Sequence, residues 1–479
     1  MTAATTLGTP PGISRISLTV IADENPGEIT VADFSRLVKA YDIRGTVPDE
    51  MNADVARDVG ALFVRLTGTR RLAVARDMRD SSPALAAALA EGAASAGADV
   101  LDAGLGSTDY AYYVSGALDI PAAMVTASHN PALYNGIKLC RAGAAPVGED
   151  SGLAQIRAWL QAGDIPAPAS HPGAVTSRDL RGDYVRHLRS LVSLDGIRPL
   201  KVVADAGNGM AGHMVPAVLD GLPVELVPLY FELDGTFPNH EANPLEPENL
   251  LDCQAKVRES GADIGLAFDG DADRCFFIDE RGEPVPPSAI VGLVAARELA
   301  RHPGSAVVHN VITSAAATEI IRENGGRPVR SRVGHSYMKA LMAEHDAVFG
   351  GEHSGHYYFR DFWRADTGML TALHVLSALG SQDRPLSELT GRYTRYVASG
   401  EINSHVEDVP AKLDEVETAW TRPGVSTDRL DGLTVTLGDG RWFNLRPSNT
   451  EPLLRLNVEA PGHDTMAALR DEVLALVRP

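Results

Sequence analysis

Short apolar runs alternate with polar turns and Ala/Leu-rich stretches of helical period along this chain, and the alternation predicts its elements. Leu72-Ala73-Val74-Ala75 leads through Arg76-Asp77-Met78-Arg79 to Ser81-Ser82-Pro83, where serine can cap and proline can open a helix with Leu85 and Leu89 on one face. Val202-Val203-Ala204 repeats the pattern through Asp205-Ala206-Gly207-Asn208-Gly209 into a helix over about 212–219. Ala306-Val307-Val308 repeats it through Thr313-Ser314 into a helix over 315–324, stopped by Gly325-Gly326. Units so far apart exclude a solenoid and predict an α/β fold with mixed or mostly parallel sheets, one unit per domain.

The pattern changes towards the C-terminus. Leu433-Thr434-Val435-Thr436-Leu437 alternates, Gly438-Asp439-Gly440 turns and Trp442 to Leu445 returns, which predicts a β-hairpin. After a strand over 453–458, Asp464 is expected to cap a last helix with Leu469, Val473, Leu476 and Val477 inward. This part reads as α+β. Residues 1–32 mix Thr, Gly, Pro and acidic groups without sustained periodicity and read as an N-terminal extension. A chain of 479 residues exceeds what one core supports. Polar, Pro- or Gly-containing interruptions place domains at 33–175, 176–282, 283–393 and 394–479.

Composition narrows the function. Apolar residues make up 44% and charged residues 22%, which fits an ordinary globular protein. The net charge of −20 repels polyanions, so no nucleic-acid partner is expected, and an anionic substrate needs a local cationic cluster. Cys140, Cys253 and Cys275 match no disulfide framework or zinc site and fit a reducing cytoplasm. No apolar run approaches the roughly 18 residues of a membrane span, and Ile16 to Ala22 is short and interrupted for a signal-peptide core, so no membrane partner is expected.

Candidate chemistry begins with Thr126-Ala127-Ser128-His129-Asn130-Pro131 and Asp269-Gly270-Asp271-Ala272-Asp273-Arg274. A serine oxygen is a poor nucleophile unless a neighbour takes its proton, orients it or neutralises developing charge. An Asp-x-Asp-x-Asp turn presents three hard oxygen donors, which select Mg²⁺ or Ca²⁺. Arg274 adds a fixed cation of the kind a transferring phosphoryl group needs. Arg446-Pro447-Ser448-Asn449-Thr450 offers a dense set of phosphate donors, and Gly351-Glu352-His353-Ser354-Gly355-His356 offers groups that suit sugar hydroxyls. Taken alone, each segment also reads as a polar loop, the aspartate triplet least so.

Taken in order, these segments resemble the α-D-phosphohexomutases, most closely the bacterial phosphomannomutase/phosphoglucomutase group. Tyr41-Asp42-Ile43-Arg44-Gly45, Asp205 to Gly209, Phe237-Pro238-Asn239-His240 and Gly334-His335-Ser336 extend the match over roughly residues 38 to 465. The resemblance implies four domains around a cleft, three of related α/β topology with mixed sheets and a C-terminal α+β domain like the TATA-box-binding protein. It implies that phosphorylated Ser128 passes its phosphoryl group to a hexose monophosphate and recovers the other phosphate from a hexose 1,6-bisphosphate, the activator. One Mg²⁺ per active site would be held by that serine with Asp269, Asp271 and Asp273.

By the same resemblance Arg44, Lys138 and Arg274 serve the reacting end. Lys138 is expected as the base, its pKa tuned by neighbouring cations, with His129 and His335 as secondary candidates; His129 also reads as an orienting residue. Glu352, Ser354 and His356 would bind the sugar, and Arg446, Ser448, Asn449 and Thr450 the phosphate that is not reacting. Three positions depart from the family pattern: Ala272 where glycine is common, Arg332 near a common lysine, and Ser107-Thr108-Asp109 in place of Thr-Pro. The implied partners are small sugar phosphates, the implied state a monomer or weak homodimer. Alternatives are a phosphoglucosamine mutase, a metal-dependent sugar phosphatase with an aspartate nucleophile, or a non-catalytic sugar-phosphate-binding protein.

Overall fold

The protein is represented by a computed structural model that describes residues 34–448 and 453–478. The N-terminal extension over 1–32 therefore lies outside the described residues. Three sheets repeat one plan. In the first, Arg71–Arg76 pairs in parallel with Asp99–Leu105 and Ala122–Val125, and Tyr134–Arg141 and Ile43–Thr46 then join antiparallel. In the second, Leu200–Asp205 pairs in parallel with Val224–Leu229 and Ile264–Phe268, and Cys275–Ile278 joins antiparallel. In the third, Ala306–Asn310 pairs in parallel with Arg327–Ser331 and Phe349–Gly351, and Tyr357–Phe359 joins antiparallel. The repeated unit left mixed and mostly parallel sheets open, and each of the three sheets is mixed, as the resemblance implied.

The innermost strands are apolar throughout because helices cover both faces. Ala122–Val125 and Ile264–Phe268 are buried at every residue. A single core cluster runs from Tyr110 and Tyr184 through Phe268 and Leu293 to Leu373, joining the three sheets into one body, while the sheet of the first unit keeps a second core on its other face. Val175–Ser177 pairs with Asp99–Leu105 as the edge of the first sheet, so that sheet runs on to residue 177. The fourth unit has its own core beneath an antiparallel sheet of five strands and the helices Val409–Trp420 and His463–Val477, which is the α+β arrangement expected.

Local expectations fared unevenly. The helices Ala211–Leu219 and Ala315–Glu323 and the hairpin of Leu433–Leu437 with Trp442–Pro447 lie where the pattern puts them, and Ser314 caps its helix through the Ala316 N–H. Ser81 makes no capping bond to the helix Ser82–Ser95; its hydroxyl accepts instead from Asn135 at 2.8 Å. Nor does Asp464 cap the last helix. Gly462 occupies that position, and the Thr465 hydroxyl accepts its N–H at 3.2 Å, leaving Asp464 in the first turn, where it still opposes the helix dipole.

The shared plan puts the candidate chemistry in one place. In each sheet the loop between the last parallel strand and the antiparallel strand that follows it carries a candidate motif: Ser128 after Val125, the aspartate triplet after Phe268, and Glu352 to His356 after Gly351. Three equivalent loops face one another across the cleft.

Candidate functional site

A cavity of about 770 Å³ opens where these loops meet. Ser128, His129, Lys138 and Arg44 line it from the first unit, Asp273 and Arg274 from the second, and His335 and His356 from the third. Glu352, Ser354, Arg446 and Ser448 are not among its described walls.

Ser128 sits in left-handed backbone, φ 50°, which is costly for a residue with a side chain. The Thr126 hydroxyl, accepting the Ser128 N–H at 2.9 Å, helps hold the turn, and Ser128 Oγ donates to Asp269 Oδ2 at 2.9 Å. The candidate nucleophile therefore touches the candidate metal site directly. Asp269, Asp271 and Asp273 each offer a carboxylate oxygen within 4.8 Å of the others, and all three are buried. Arg274 Nε donates to Asp269 Oδ2 at 2.9 Å, and Lys138 Nζ to Asp271 Oδ2 at 2.7 Å and Asp273 Oδ2 at 2.6 Å. Three carboxylates thus face two cations, and Asp271 Oδ1 and Asp273 Oδ1 are buried without a hydrogen-bond partner. Buried anionic oxygens without donors are what a hard divalent cation satisfies, so the residues fit Mg²⁺.

Burial pushes Asp271 up, but the Lys138 ammonium and the Thr108 and Ser128 hydroxyls outweigh it and hold its carboxyl well below the usual range. Burial likewise works against the charge on Lys138, and the two carboxylates overcome it, holding the ammonium proton on. This corrects the reason given above for Lys138 as a base: its contacts are anions that retain its proton, not cations that loosen it. His129 Nδ1 lies 3.4 Å from Ser128 Oγ, and burial with the nearby charges of Arg274 and Arg44 keeps its ring neutral. Burial takes His335 down to about 3; its ring packs on Tyr41 with centroids 4.8 Å apart. Arg44 donates to Asn130 Oδ1 at 2.5 Å and pairs with Asp42.

In the third loop, Glu352 is turned inward. Its Oε1 accepts from Asn310 Nδ2 at 3.2 Å and the Gly334 N–H at 3.1 Å, and its Oε2 from the Tyr358 hydroxyl at 2.7 Å. Ser354 Oγ lies 3.0 Å from His356 Nδ1, whose Nε2 is 3.8 Å from Asp273 Oδ1. The fourth unit approaches from the side. Arg446 pairs with Glu401 at 3.4 Å, Ser448 Oγ accepts from Arg455 at 3.4 Å, and the two guanidiniums help burial bring His353 down to about 3. Asn449 and Thr450 lie outside the described residues.

Some residues that brace the site carry no motif. Thr108, in a segment that reads only as a family departure, donates from Oγ1 to Asp271 Oδ2 at 2.5 Å and from its N–H to the Asp271 carbonyl at 2.9 Å. Its neighbour Asp109 accepts from Ser107, from Tyr184 at 2.8 Å and from Thr367 at 2.5 Å, knitting the units together. Asp366 reaches the cavity wall and pairs with buried Lys339 at 2.6 Å. Except for the local Ser107 contact, the partners lie 27 to 258 residues apart, and only the fold brings them together. The Ala272 departure does fall at positive φ, 58°, and Arg332 stands over the Tyr337 ring at 5.4 Å.

Comparison with known proteins matches the whole plan. The descriptions "Phosphoglucomutase/phosphomannomutase, alpha/beta/alpha domain" I, II and III match residues 35–164, 182–282 and 286–396, and the C-terminal domain of the same family matches 401–476. A phosphomannomutase of Salmonella montevideo is 41% identical over 449 residues, covering 92% of this chain and 98% of its own length. A protein of Xanthomonas campestris pv. campestris described as "Phosphohexose mutases" is 42% identical over 439 residues, covering 91% and 98%. The crystal structure of a phosphoglucomutase/phosphomannomutase family protein from Burkholderia thailandensis superposes with a TM-score of 0.83 at 33% identity, covering 92% of this chain and 98% of that one.

Proposed function

The chain belongs to the phosphoglucomutase/phosphomannomutase family and is a phosphohexomutase, and we propose that it exchanges the 1- and 6-phosphates of mannose, glucose or both through phosphorylated Ser128 and a hexose 1,6-bisphosphate. The contact of Ser128 Oγ with Asp269, inside a cavity walled by three units, carries this reading. A carrier hydroxyl belongs beside the charges that stabilise a phosphoryl group in transfer.

Ser128, Asp269, Asp271 and Asp273 would hold Mg²⁺, which supplies charge neutralisation on the phosphoryl oxygens when bound. Arg44 and Lys138 meet the substrate at the reacting end, with Arg274 behind them fixing Asp269. His129 and His335 are neutral, but the burial and cations that keep them so also weaken them as proton acceptors, whereas Lys138 must first release a proton that Asp271 and Asp273 help it keep. A base at this end therefore needs the charges of the bound substrate to shift one of these groups. Glu352, Ser354 and His356 orient the sugar, and Arg446, Ser448, Asn449 and Thr450 take the distal phosphate. Activation by hexose 1,6-bisphosphate, domain borders near 175, 282 and 393, a cytoplasmic location and a monomer or weak homodimer complete the proposal. The three free, buried cysteines support the location.

The test is turnover of mannose, glucose and glucosamine 1-phosphates side by side, with Mg²⁺ and a trace of glucose 1,6-bisphosphate, together with intact-protein mass. Expected are mannose or glucose 6-phosphate as product and one phosphate on Ser128 that Ser128→Ala lacks. Stoichiometric release of inorganic phosphate by an active Ser128→Ala protein overturns the proposal in favour of a phosphatase; preference for glucosamine 1-phosphate overturns the sugar assignment.

A further inference from the structure

The turn Asp77-Met78-Arg79, which the sequence pattern marks only as the link between a strand and a helix, encloses a guanidinium that is 1% exposed. All four of its Nη hydrogens are spent on carbonyls of the nucleophile loop and of Tyr134, the first residue of the strand that follows it. Nη1 donates to Pro131 O and Tyr134 O, both at 2.9 Å, and Nη2 to Ser128 O at 2.9 Å and Asn130 O at 2.6 Å. Its Nε faces Asp77 at 3.3 Å, and Asp77 is held in turn by the Arg79 N–H and the Ser82 hydroxyl. Ser128 and Asn130 lie in a segment that belongs to no helix or strand, and Arg79 supplies their inward carbonyls with the donors a ladder would have given, while the Pro131 carbonyl also accepts the Tyr134 N–H at 3.0 Å.

The second unit closes the arrangement from behind. The Phe237 ring lies 5.0 Å from the guanidinium, which gives a physical role to the Phe237-Pro238-Asn239-His240 segment. A Cβ at Gly235 would come within 2.7 Å of Arg79 Cα, and one at Gly270 within 2.5 Å of Ser128 O, so both glycines are needed for the backbones to approach. The Ser128 carbonyl is therefore fixed between Arg79 and the metal loop, on the residue held at φ 50°. Arg79 is buried and is not among the cavity walls, so it is placed to act through the loop rather than on a ligand.

We propose that Arg79 is a positioning residue for phosphoryl transfer: its buried fork fixes the backbone of the loop over 128–134 and thereby aims Ser128 Oγ. The proposal rests on the reading of Ser128 as the phosphoryl carrier. Lysine keeps the charge but has one nitrogen with three hydrogens and cannot span four carbonyls.

The experiment follows single-turnover phosphorylation of Ser128 by glucose 1,6-bisphosphate, read by intact-protein mass, beside steady-state kinetics and a melting curve. For Arg79→Lys, a loop displaced by tenths of an ångström to an ångström lowers kcat and the uptake rate together by about 100-fold. KM stays within about threefold, because the groups that bind the sugar are untouched. Asp77→Asn leaves Arg79 in place but loosens its Nε, and a fall of roughly tenfold in uptake is expected; this variant carries the test where Arg79→Lys does not fold. An uptake rate equal to that of the unsubstituted protein in a folded variant overturns the proposal. So does a loss of kcat accounted for by the unfolded fraction alone. Absence of phosphate on Ser128 in the unsubstituted protein overturns the carrier reading and this proposal with it, so the two failures are distinguishable.

Discussion

The reacting end of the cleft and the end assigned to the distal phosphate are built differently. Ser128, Asp269, Asp271, Asp273 and Arg274 are at most 4% exposed, and their side chains form one network of bonds and ion pairs, mostly 2.5–2.9 Å long. Arg446 and Ser448 rest on the fourth sheet with contacts of 3.4 Å to Glu401 and from Arg455. On the proposed function the contrast fits the two tasks. Transfer requires the nucleophile and the charges around it to be in place before reaction, since reorganisation adds to the barrier. A distal phosphate must be gripped and then released when the sugar turns over, so looser donors serve better. The reacting end should therefore fail through kcat and the distal end through KM.

The largest effect expected is at Asp271. Asp271→Ala removes one of three carboxylates and leaves Asp273 to hold Lys138, so the fold persists while kcat falls about 10³-fold, as measured by the mutase assay beside a melting curve. Near-normal turnover would break the comparison at its strongest point. Next is Thr108→Val, which keeps size and burial but removes the hydroxyl that orients Asp271. Loss of a residue that orients a metal ligand costs roughly 10- to 100-fold, so kcat and the Mg²⁺ concentration for half-activity should both move. If only the melting temperature moves, Thr108 is structural and the network is less exacting than its distances suggest.

Thr108 also shows where the sequence stops being informative. The three strand-turn-helix units and the C-terminal hairpin are local patterns and could be read from periodicity, whereas that the sheets are mixed followed only from the resemblance. Ser128 and the aspartates, weak signals singly, became legible because their order along the chain with the phosphate and sugar segments resembles one family. Thr108 meets Asp271 across 163 residues, and Arg79 meets the Ser128 carbonyl across 49, so neither leaves a local signature. Lys138 was legible as a site residue, but its electrostatics were not, because the two carboxylates beside it arrive from another sheet. The caps assigned to Ser81 and Asp464 failed for a related reason: Asn135 from a neighbouring strand claims one, and in the other Thr465 and Gly462 close the turn first.

At the distal end, Arg446→Ala removes a guanidinium from the phosphate loop. Hydrogen bonds to charged groups contribute about 1.5–3 kcal/mol, so KM for the sugar phosphate should rise roughly 10- to 100-fold. kcat should change by less than about fivefold, the pattern of lost ground-state binding. A fall in kcat equal to that of Thr108→Val, with KM unchanged, would show that the distal grip is also part of the preorganised network.

The smallest effect concerns what the rigidity of the metal loop costs the backbone. Ala272, fully buried at φ 58°, is held where left-handed geometry costs a side-chain residue about 1–2 kcal/mol. Ala272→Gly relieves that strain, but it loosens the unfolded chain by about 0.4–1 kcal/mol and gives up the burial of one methyl, about 0.8 kcal/mol. The sum lies within about 1 kcal/mol of zero. Ala295, equally buried inside the helix Pro287–Arg301, carries no such strain. Ala295→Gly loses about 1 kcal/mol of helix propensity as well as the methyl, close to 2 kcal/mol in all. Urea unfolding of the two variants reads the difference directly: if Ala272→Gly is as destabilising as Ala295→Gly, the metal loop stores no backbone strain, and the rigidity of the reacting end comes from its side-chain network alone.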